Sequence, residues 1–413
     1  MGGSGRPSGD LRMSENRQVW RVALIGISGY GRIHLQLARE CRARGEVAIV
    51  AATVINAEDE AANIAELREH GCAIYSDYEE MLRDQQGRID LCLIPTGIHW
   101  HARMTIAALK AGANVLVEKP LAGSMAEVEA VRAAERETGR FVAVGFQDLY
   151  EPGTVWLKNE LAKGAIGAVQ SVRFLGIWPR GRGYFLRNEW AGRTQVAGVP
   201  VFDSPLNNAF GHFVMLSLYF ASPTAEAAAA TVKQVELFRA HRIESFDTAV
   251  VTSETANGVK LWFGVSHASH ETEEPEIVIH GEKGTAGWRY EREAWWRDNN
   301  GRGDHRKLPD MTATRRSMMA AVLARMSDPA APICGSEMAA RHTAIIEAVH
   351  RSATIRDFPA AEVNWAEDAR QGSAVPEVNG LTIALRRAFE AQQLLADSGF
   401  TLGGVGLEKT RPV

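Results

Sequence analysis

The chain has 413 residues, 46% of them hydrophobic and 23% charged, with 46 Lys and Arg against 50 Asp and Glu for a net charge of −4. This balance excludes whole-chain disorder, leaves no electrostatic footprint for nucleic acid, and offers no run of about 18 apolar residues to cross a bilayer. At ~100–200 residues per domain the length implies two or three soluble domains, with a small-molecule task as the default.

Cys41, Cys72, Cys92 and Cys334 form no C-x-x-C pair, and Cys41 and Cys92 fall in apolar periodic segments. That is the pattern of reduced cysteines in a cytoplasmic protein. Residues 1–18 are rich in Gly, Ser and Arg and lack the apolar stretch of a secretory signal. They are expected to form a disordered arm, and a leader ending before Met13 fits the same composition.

From Trp20 the pattern is regular. An apolar run to Ile25 meets a glycine-rich turn, and Ile33, Leu35, Leu37, Ala38 and Cys41 follow at helical spacing. A strand over Val47 to Ile55 leads to a helix within Ala57 to His70. The unit repeats as Ile89 to Ile94, a helix around His101 to Ala111, and a strand at Asn114 to Val117. Ser124 with Glu127 reads as a capping box opening a helix to about Thr138, before a strand at Phe141 to Val144. Alternating strands and helices predict an α/β domain over residues 19–146: a doubly wound parallel Rossmann sheet.

Beyond Phe146 the stretches Val169 to Leu175, Phe246 to Thr252, Val259 to Ser266 and Glu276 to His280 alternate like strands, separated by turns such as Asn257-Gly258. They predict an α+β domain over residues 147–413 with a large, mainly antiparallel open sheet. Helices are expected at Asn207 to Phe220 and Arg341 to Ser352. Arg297 to Pro309 reads as an exposed loop, and the last helix as one that packs back on the first domain.

Gly26-Ile27-Ser28-Gly29-Tyr30-Gly31 lies where the first strand turns into the first helix. Glycine there lets the backbone approach a pyrophosphate, and the helix N-terminus offers N–H groups to it. Ser28 stands at the middle glycine of the usual G-x-G-x-x-G. The acidic residue expected about 20 residues on for a ribose 2′-hydroxyl is missing from Ala52 to Asn56. Asn56 or Thr53 remains to bond the ribose, and NAD versus NADP stays open.

Ile89 to Ile94, Thr96-Gly97-Ile98-His99-Trp100-His101, Ala107 to Gly112 and Val115-Leu116-Val117-Glu118-Lys119-Pro120, taken with the glycine turn, resemble the Gfo/Idh/MocA (glucose-fructose oxidoreductase, inositol dehydrogenase and MocA) family. Val144-Gly145-Phe146-Gln147 and the Gly281 to Gly284 turn also match in place. The resemblance implies an NAD(P)-dependent dehydrogenase acting on CH–OH groups. It assigns cofactor contacts to Gly26, Ser28, Gly29, Tyr30, Gly31, Arg32, Asn56, Thr96, His99, His101, Glu118, Lys119 and Gln147. The residue matching Lys119 bonds both the substrate hydroxyl and the nicotinamide ribose, and the proline matching Pro120 is often cis.

A lysine at the C-terminal end of a parallel strand lies on the ligand edge of such a sheet, where partial burial lowers its pKa enough for proton exchange. The family's Asp-x-x-x-His reads Asn208 to His212 here, and i, i+4 spacing places both on one helix face. An amide orients but takes no proton, so Lys119 and His212 are the expected proton carriers, with Asn208 beside them. The family's Thr-Pro-Asn turn reads Thr96-Gly97-Ile98. His267-x-x-His270 would point to opposite faces of a strand, so no metal is expected.

Trp178 to Arg193 is dense in aromatics and arginines, which suit the apolar faces and hydroxyls of a sugar. Tyr150, Trp178, Arg187, Trp190, Asn207, Asn208 and His212 are the substrate candidates, although the segment can equally be a loop packed on its own domain. The expected function is hydride transfer between a nicotinamide and a secondary alcohol of a sugar, polyol or glycoside. The alternatives are redox-assisted glycoside cleavage or elimination with retained NAD, and a non-catalytic nucleotide or sugar sensor. A carbohydrate or polyol substrate and a homodimer or homotetramer are the expected partners, with no nucleic acid and no membrane.

Overall fold

The computed structural model describes residues 18–407, so residues 1–17 of the expected arm lie outside the described residues. The first domain runs β1 (Trp20–Ile25), α1 (Gly31–Ala43), β2 (Val47–Thr53), α2 (Ala61–Glu69), β3 (Ala73–Tyr75), α3 (Tyr78–Asp84), β4 (Leu91–Ile94), α4 (Ile98–Lys110), β5 (Asn114–Val117), α5 (Met125–Thr138) and β6 (Val142–Val144). Its six strands are parallel in the order β3-β2-β1-β4-β5-β6. The winding direction reverses between β1 and β4, which opens a crevice at their C-terminal ends.

Every residue of β4 is buried, as strands covered on both faces require. Ser124 Oγ accepts from Glu127 N and donates to its carboxylate, and α5 stops at Gly139 with φ 64. That is the capping box read from the sequence, ended by a left-handed glycine. The helix α3 opens in a related way, with Asp77 accepting from Glu80 N at 2.8 Å, whereas the three-residue β3 is too short to show an alternation.

The second domain comprises α6 (Pro152–Ala162), β7 (Val169–Ile177), α7 (Arg182–Leu186), β8 (Gln195–Val196), β9 (Val199–Pro200), α8 (Gly211–Ala221), β10 (Ala230–Arg239), β11 (Thr248–Thr255), β12 (Lys260–Ser266), β13 (Glu273–Gly281), β14 (Gly284–Arg289), β15 (Glu293–Asp298), β16 (Gly303–Lys307), α9 (Met311–Ser327), α10 (Ser336–Ser352), β17 (Arg356–Asp357), β18 (Val363–Asp368), β19 (Ser373–Val378) and α11 (Leu381–Ala391). Nine strands form one sheet, β16-β15-β14-β13-β7-β12-β11-β10-β17. It is antiparallel except where β7 meets β12 and β10 meets β17.

Alternate residues of each strand face opposite sides. Val172, Phe174, Val251, Phe263 and Ile277 join the core under α8 and α10, whereas Leu175, Ile177, Val250 and Trp262 meet Leu381, Leu385 and Phe389 of α11. The last helix therefore packs on the outer face of the large sheet and not on the first domain, because its apolar stripe matches that face. Helix α9 lies on the first domain through Met318, Met319 and Val322, and α10 meets α5, where Met125 N donates to Glu347 at 2.9 Å. Arg297 to Pro309 is mostly exposed, with Asp298 and Leu308 buried, but contains β16, which pairs with β15 in a hairpin instead of forming a loop. Its residues all face solvent, so no alternation marked it.

Residues leading into α10 cover the free edge of β6, where Val144 N donates to Cys334 O at 2.8 Å and Ala143 bridges to Gly335. All four cysteines are buried and free. Among the described residues no helix is long and apolar enough to cross a membrane.

Candidate functional site

The glycine turn is built for close approach. Gly26 and Gly29 have φ of 92° and 55°, where a side chain would be strained, and a Cβ on Gly31 would lie 2.7 Å from Gly26 O. No side chain caps the N-terminus of α1; the N–H groups of Gly31, Arg32 and Ile33 donate to the turn carbonyls of Ser28, Gly29 and Tyr30, and the helix dipole there favours an anion. Ser28 Oγ donates to Asn56 Oδ1 at 2.7 Å and ties the turn to the end of β2.

Glu60, seven residues beyond β2, folds back to this point. Its carboxylate is 2.9 Å from Arg32 and accepts from Asn63. Burial opposes its charge, yet bonds from Asn63 and Arg32 outweigh burial and hold the carboxyl below its ordinary value. Arg32 is thus engaged by Glu60. Sequence reasoning missed Glu60, which lies beyond the stretch where the fingerprint places its acid.

At the end of β5 the Lys119–Pro120 peptide is cis. Lys119 Nζ donates to Asn208 O at 2.6 Å and to Asn208 Oδ1 at 3.2 Å, so the two domains meet at this ammonium. Burial pushes Lys119 below its ordinary pKa and Arg187 adds to this, against the pull of Glu118, Asp203 and Asp148. Glu118 is buried beneath it, 2.8 Å from His34 Nε2.

Asn208 is not on α8. It lies in the turns before Gly211, where its N bonds Ser204 O and Asn207 Nδ2 bonds the carbonyls of Val201 and Phe202. Side-chain bonds of this kind compete with helix formation. Asn207 is therefore a buried scaffold residue. Asn208 Nδ2 donates to Asp203 Oδ1 at 3.0 Å and to Tyr184 Oη at 3.3 Å. Asp203 accepts from Gly192 N at 2.6 Å, and burial raises its carboxyl against that bond and the Asn208 amide.

His212 enters from the first turn of α8. Burial takes its ring well below the ordinary histidine value, and the charges of Lys119 and Arg315 add to this, with His342 also contributing. Its Nδ1 is 3.2 Å from Asp148 Oδ2, on the one-turn helix after β6. Besides Glu118, the carboxylates Asp148 and Asp203 act on Lys119, and neither of these two stands at a motif position.

The segment after β7 folds across this cleft. Trp190 Nε1 would be 3.0 Å from a Cβ on Gly97, and Glu189 is 3.3 Å from His99 Nε2. Gly97 therefore makes room for the indole. The Arg187 guanidinium lies 3.6 Å from the Tyr184 ring centre and 5.1 Å from that of Trp190. Other candidates are structural. Both ring nitrogens of His101 face backbone carbonyls, of Pro120 at 2.6 Å and Thr96 at 3.0 Å. Tyr150 Oη accepts from Cys334 N. Trp178 packs on Phe210 in a tilted pair with ring centres 4.8 Å apart and donates to Glu274.

Gln147 is buried with Oε1 unpartnered. That orphan acceptor, the open glycine turn and the uncapped helix fit a dinucleotide. His267 and His270 lie past the end of β12 and turn to Trp178 O and to Glu377. A cavity of about 570 Å³ lined by Arg182, Phe185, His241, Arg242 and Trp365 contains none of Lys119, Asn208 or His212.

Residues 20–146 match the oxidoreductase family with an NAD-binding Rossmann fold, and residues 155–287 match the Gfo/Idh/MocA C-terminal domain. Inositol 2-dehydrogenase of Salmonella paratyphi B is 37% identical over 94 residues, 22% of this chain and 27% of that protein. The 4-carboxy-2-hydroxymuconate-6-semialdehyde dehydrogenase of a Sphingobium species is 31% identical over 150 residues, 36% of this chain and 45% of that protein. The alignments thus span under half the length of these relatives. Among solved structures, the WlbA dehydrogenase of Bordetella pertussis with NADH and UDP-GlcNAcA has TM-score 0.66 at 21% identity, covering 87% of this chain and 99% of that one. A 3-ketoreductase of Actinomadura kijaniata with NADP and TDP-benzene has TM-score 0.65 at 19% identity, covering 83% and 100%. At these identities the two structures share the fold. Together with the six-stranded parallel sheet, the glycine turn and the Glu118-Lys119-Pro120 edge, the domain matches place this chain in the Gfo/Idh/MocA oxidoreductase family.

Proposed function

We propose that the protein is an NAD(P)-dependent dehydrogenase acting on a secondary alcohol of a sugar, polyol or glycoside. The observation that carries this reading is the meeting of Lys119 from the first domain with Asn208 and His212 from the second in one cleft. The glycine turn, Asn56 and Gln147 would hold the dinucleotide, and a bound nicotinamide supplies the hydride acceptor or donor. Lys119, its pKa lowered by burial, exchanges the hydroxyl proton and His212 relays it. Asn208 orients the ammonium without taking a proton. Trp190, Tyr184 and Arg187 provide aromatic faces and a donor suited to sugar C–H faces and hydroxyls. The sugar-linked names of several relatives and structural neighbours support this class.

Redox-assisted cleavage or elimination with retained NAD is the second reading, favoured by the amide at Asn208 and the buried carboxylates Asp148 and Asp203. A homodimer or homotetramer belongs to the proposal too, through a surface other than the sheet face covered by α11. A panel of polyols, sugars, glycosides and sugar nucleotides, read at the nicotinamide absorbance with NAD and NADP, tests the leading reading. Net NADH or NADPH formation supports it. Free monosaccharide without net reduced cofactor supports the second.

A further inference from the structure

Three other buried carboxylates of this chain are satisfied by backbone amides. Glu151 accepts from Gly153 and Thr154, Glu236 from Leu395 and Ala396, and Asp247 from Ala240 and His241. Asp148 is 4% exposed, and among the described residues its Oδ2 makes no aligned hydrogen bond. The same is true of His212 Nδ1. These two orphan atoms are 3.2 Å apart. Leaving a buried donor and a buried acceptor both unmade in a dry site is costly, so a bond between these two neighbours is favoured. Phe146 lies edge-on to the ring at 5.9 Å and limits how it turns.

We propose that Asp148 is a positioning residue for His212: its carboxylate accepts the Nδ1 proton, so that Nε2 presents its lone pair to the proton leaving the substrate hydroxyl. This rests on His212 being a proton carrier in the reading above. In the oxidative direction the O–H bond breaks and the proton ends on Nε2. The C–H electron pair leaves as hydride to the oxidised nicotinamide. The imidazolium so formed lies against a carboxylate, as in other histidines oriented by an acid. Asp148 in this way supplies the negative charge that Asn208 does not.

The groups that face the pair set its titration. Around Asp148 they are Glu151, Glu291, Arg315, Lys119, Tyr30 and Tyr290. Around His212 they are Lys119, Arg315 and His342. Burial pushes the Asp148 carboxyl up to about 7, while burial holds the His212 ring well below its ordinary value.

The test is ring-nitrogen NMR on the full chain with 15N-labelled histidine, without ligand, His212 being assigned by its loss in His212→Gln. The wild type at pH 8 should show His212 as the Nδ1–H tautomer, and Asp148→Asn should shift it toward Nε2–H. A wild-type Nε2–H tautomer, or a tautomer unmoved in Asp148→Asn, overturns the proposal whatever the substrate is. With a substrate in hand, Asp148→Asn should lower kcat by ~10²-fold and displace the acid limb of its pH profile, with KM within about threefold. Asp148→Glu should recover part of kcat. A fall in melting temperature with kcat and its pH profile unchanged would mark Asp148 as merely structural. If no alcohol is oxidised at all, the dehydrogenase reading fails while the tautomer still decides the Asp148 assignment.

Discussion

Lys119 and Asp203, on different domains, are joined through one amide: Asn208 accepts from the lysine at 3.2 Å and donates to the aspartate at 3.0 Å. A neutral donor–acceptor group fits between a cation and a buried carboxylate, whereas a second carboxylate there would face Asp203 directly. We expect Asn208→Asp to create a pair that holds a proton, because two close carboxylates cannot both ionise freely. A raised folded-state pKa means that the folded chain binds more protons than the unfolded one. The variant should therefore lose stability relative to wild type as pH rises from 5 to 8, by about 1–3 kcal/mol. Urea unfolding across that range checks this, and an unchanged difference at both ends contradicts it.

Glu60 brings a buried charge to the end of the glycine turn, 2.9 Å from Arg32. A 2′-phosphate would meet that carboxylate, while a 2′-hydroxyl could donate to it. We expect NAD to bind more tightly than NADP. Glu60→Gln should release Arg32 and move the ratio toward NADP by ~10-fold, about 1.4 kcal/mol. Fluorescence titration with both reduced cofactors measures the ratio, and no change in Glu60→Gln contradicts the assignment.

Burial pushes His342 down to about 4 and His350 down to about 3, against bonds to the carbonyls of Leu206 and Phe202. Unfolded histidines titrate near ~6.5, so between that value and the folded ones the unfolded chain binds more protons. Their contribution is complete above ~6.5 and is lost as pH falls, at up to ~1.4 kcal/mol per pH unit for each ring. Asp148, raised to about 7, works in the opposite direction. We expect the His342→Gln and His350→Gln double variant to have a flatter stability profile between pH 7 and 5 than wild type. Equal slopes would contradict this.

Local signals explain what the sequence disclosed. A glycine turn between an apolar run and a helical period, the capping box at Ser124, and a lysine at a strand end each depend on neighbours in the chain. The parallel sheet and Lys119 were legible for that reason. Asp148, Asp203 and Glu60 were not, since each is an isolated carboxylate that acquires its role from residues brought close by the fold. Asn208 looked helical by spacing to His212, but side-chain bonds to the backbone hold residues 203–208 in turns. In β16 the residues Gly303–Lys307 are all exposed, so a strand carried no apolar alternation.

Single-turnover hydride transfer in Lys119→Met, His212→Gln and the double variant probes most directly whether the two nitrogens serve one alcohol carbon. Groups acting as a unit are non-additive. Each single change should slow the step by at least ~10²-fold, and the double variant should be about as slow as the slower single one. Losses that multiply in the double variant, or near-full turnover in folded Lys119→Met, would contradict a shared reacting centre.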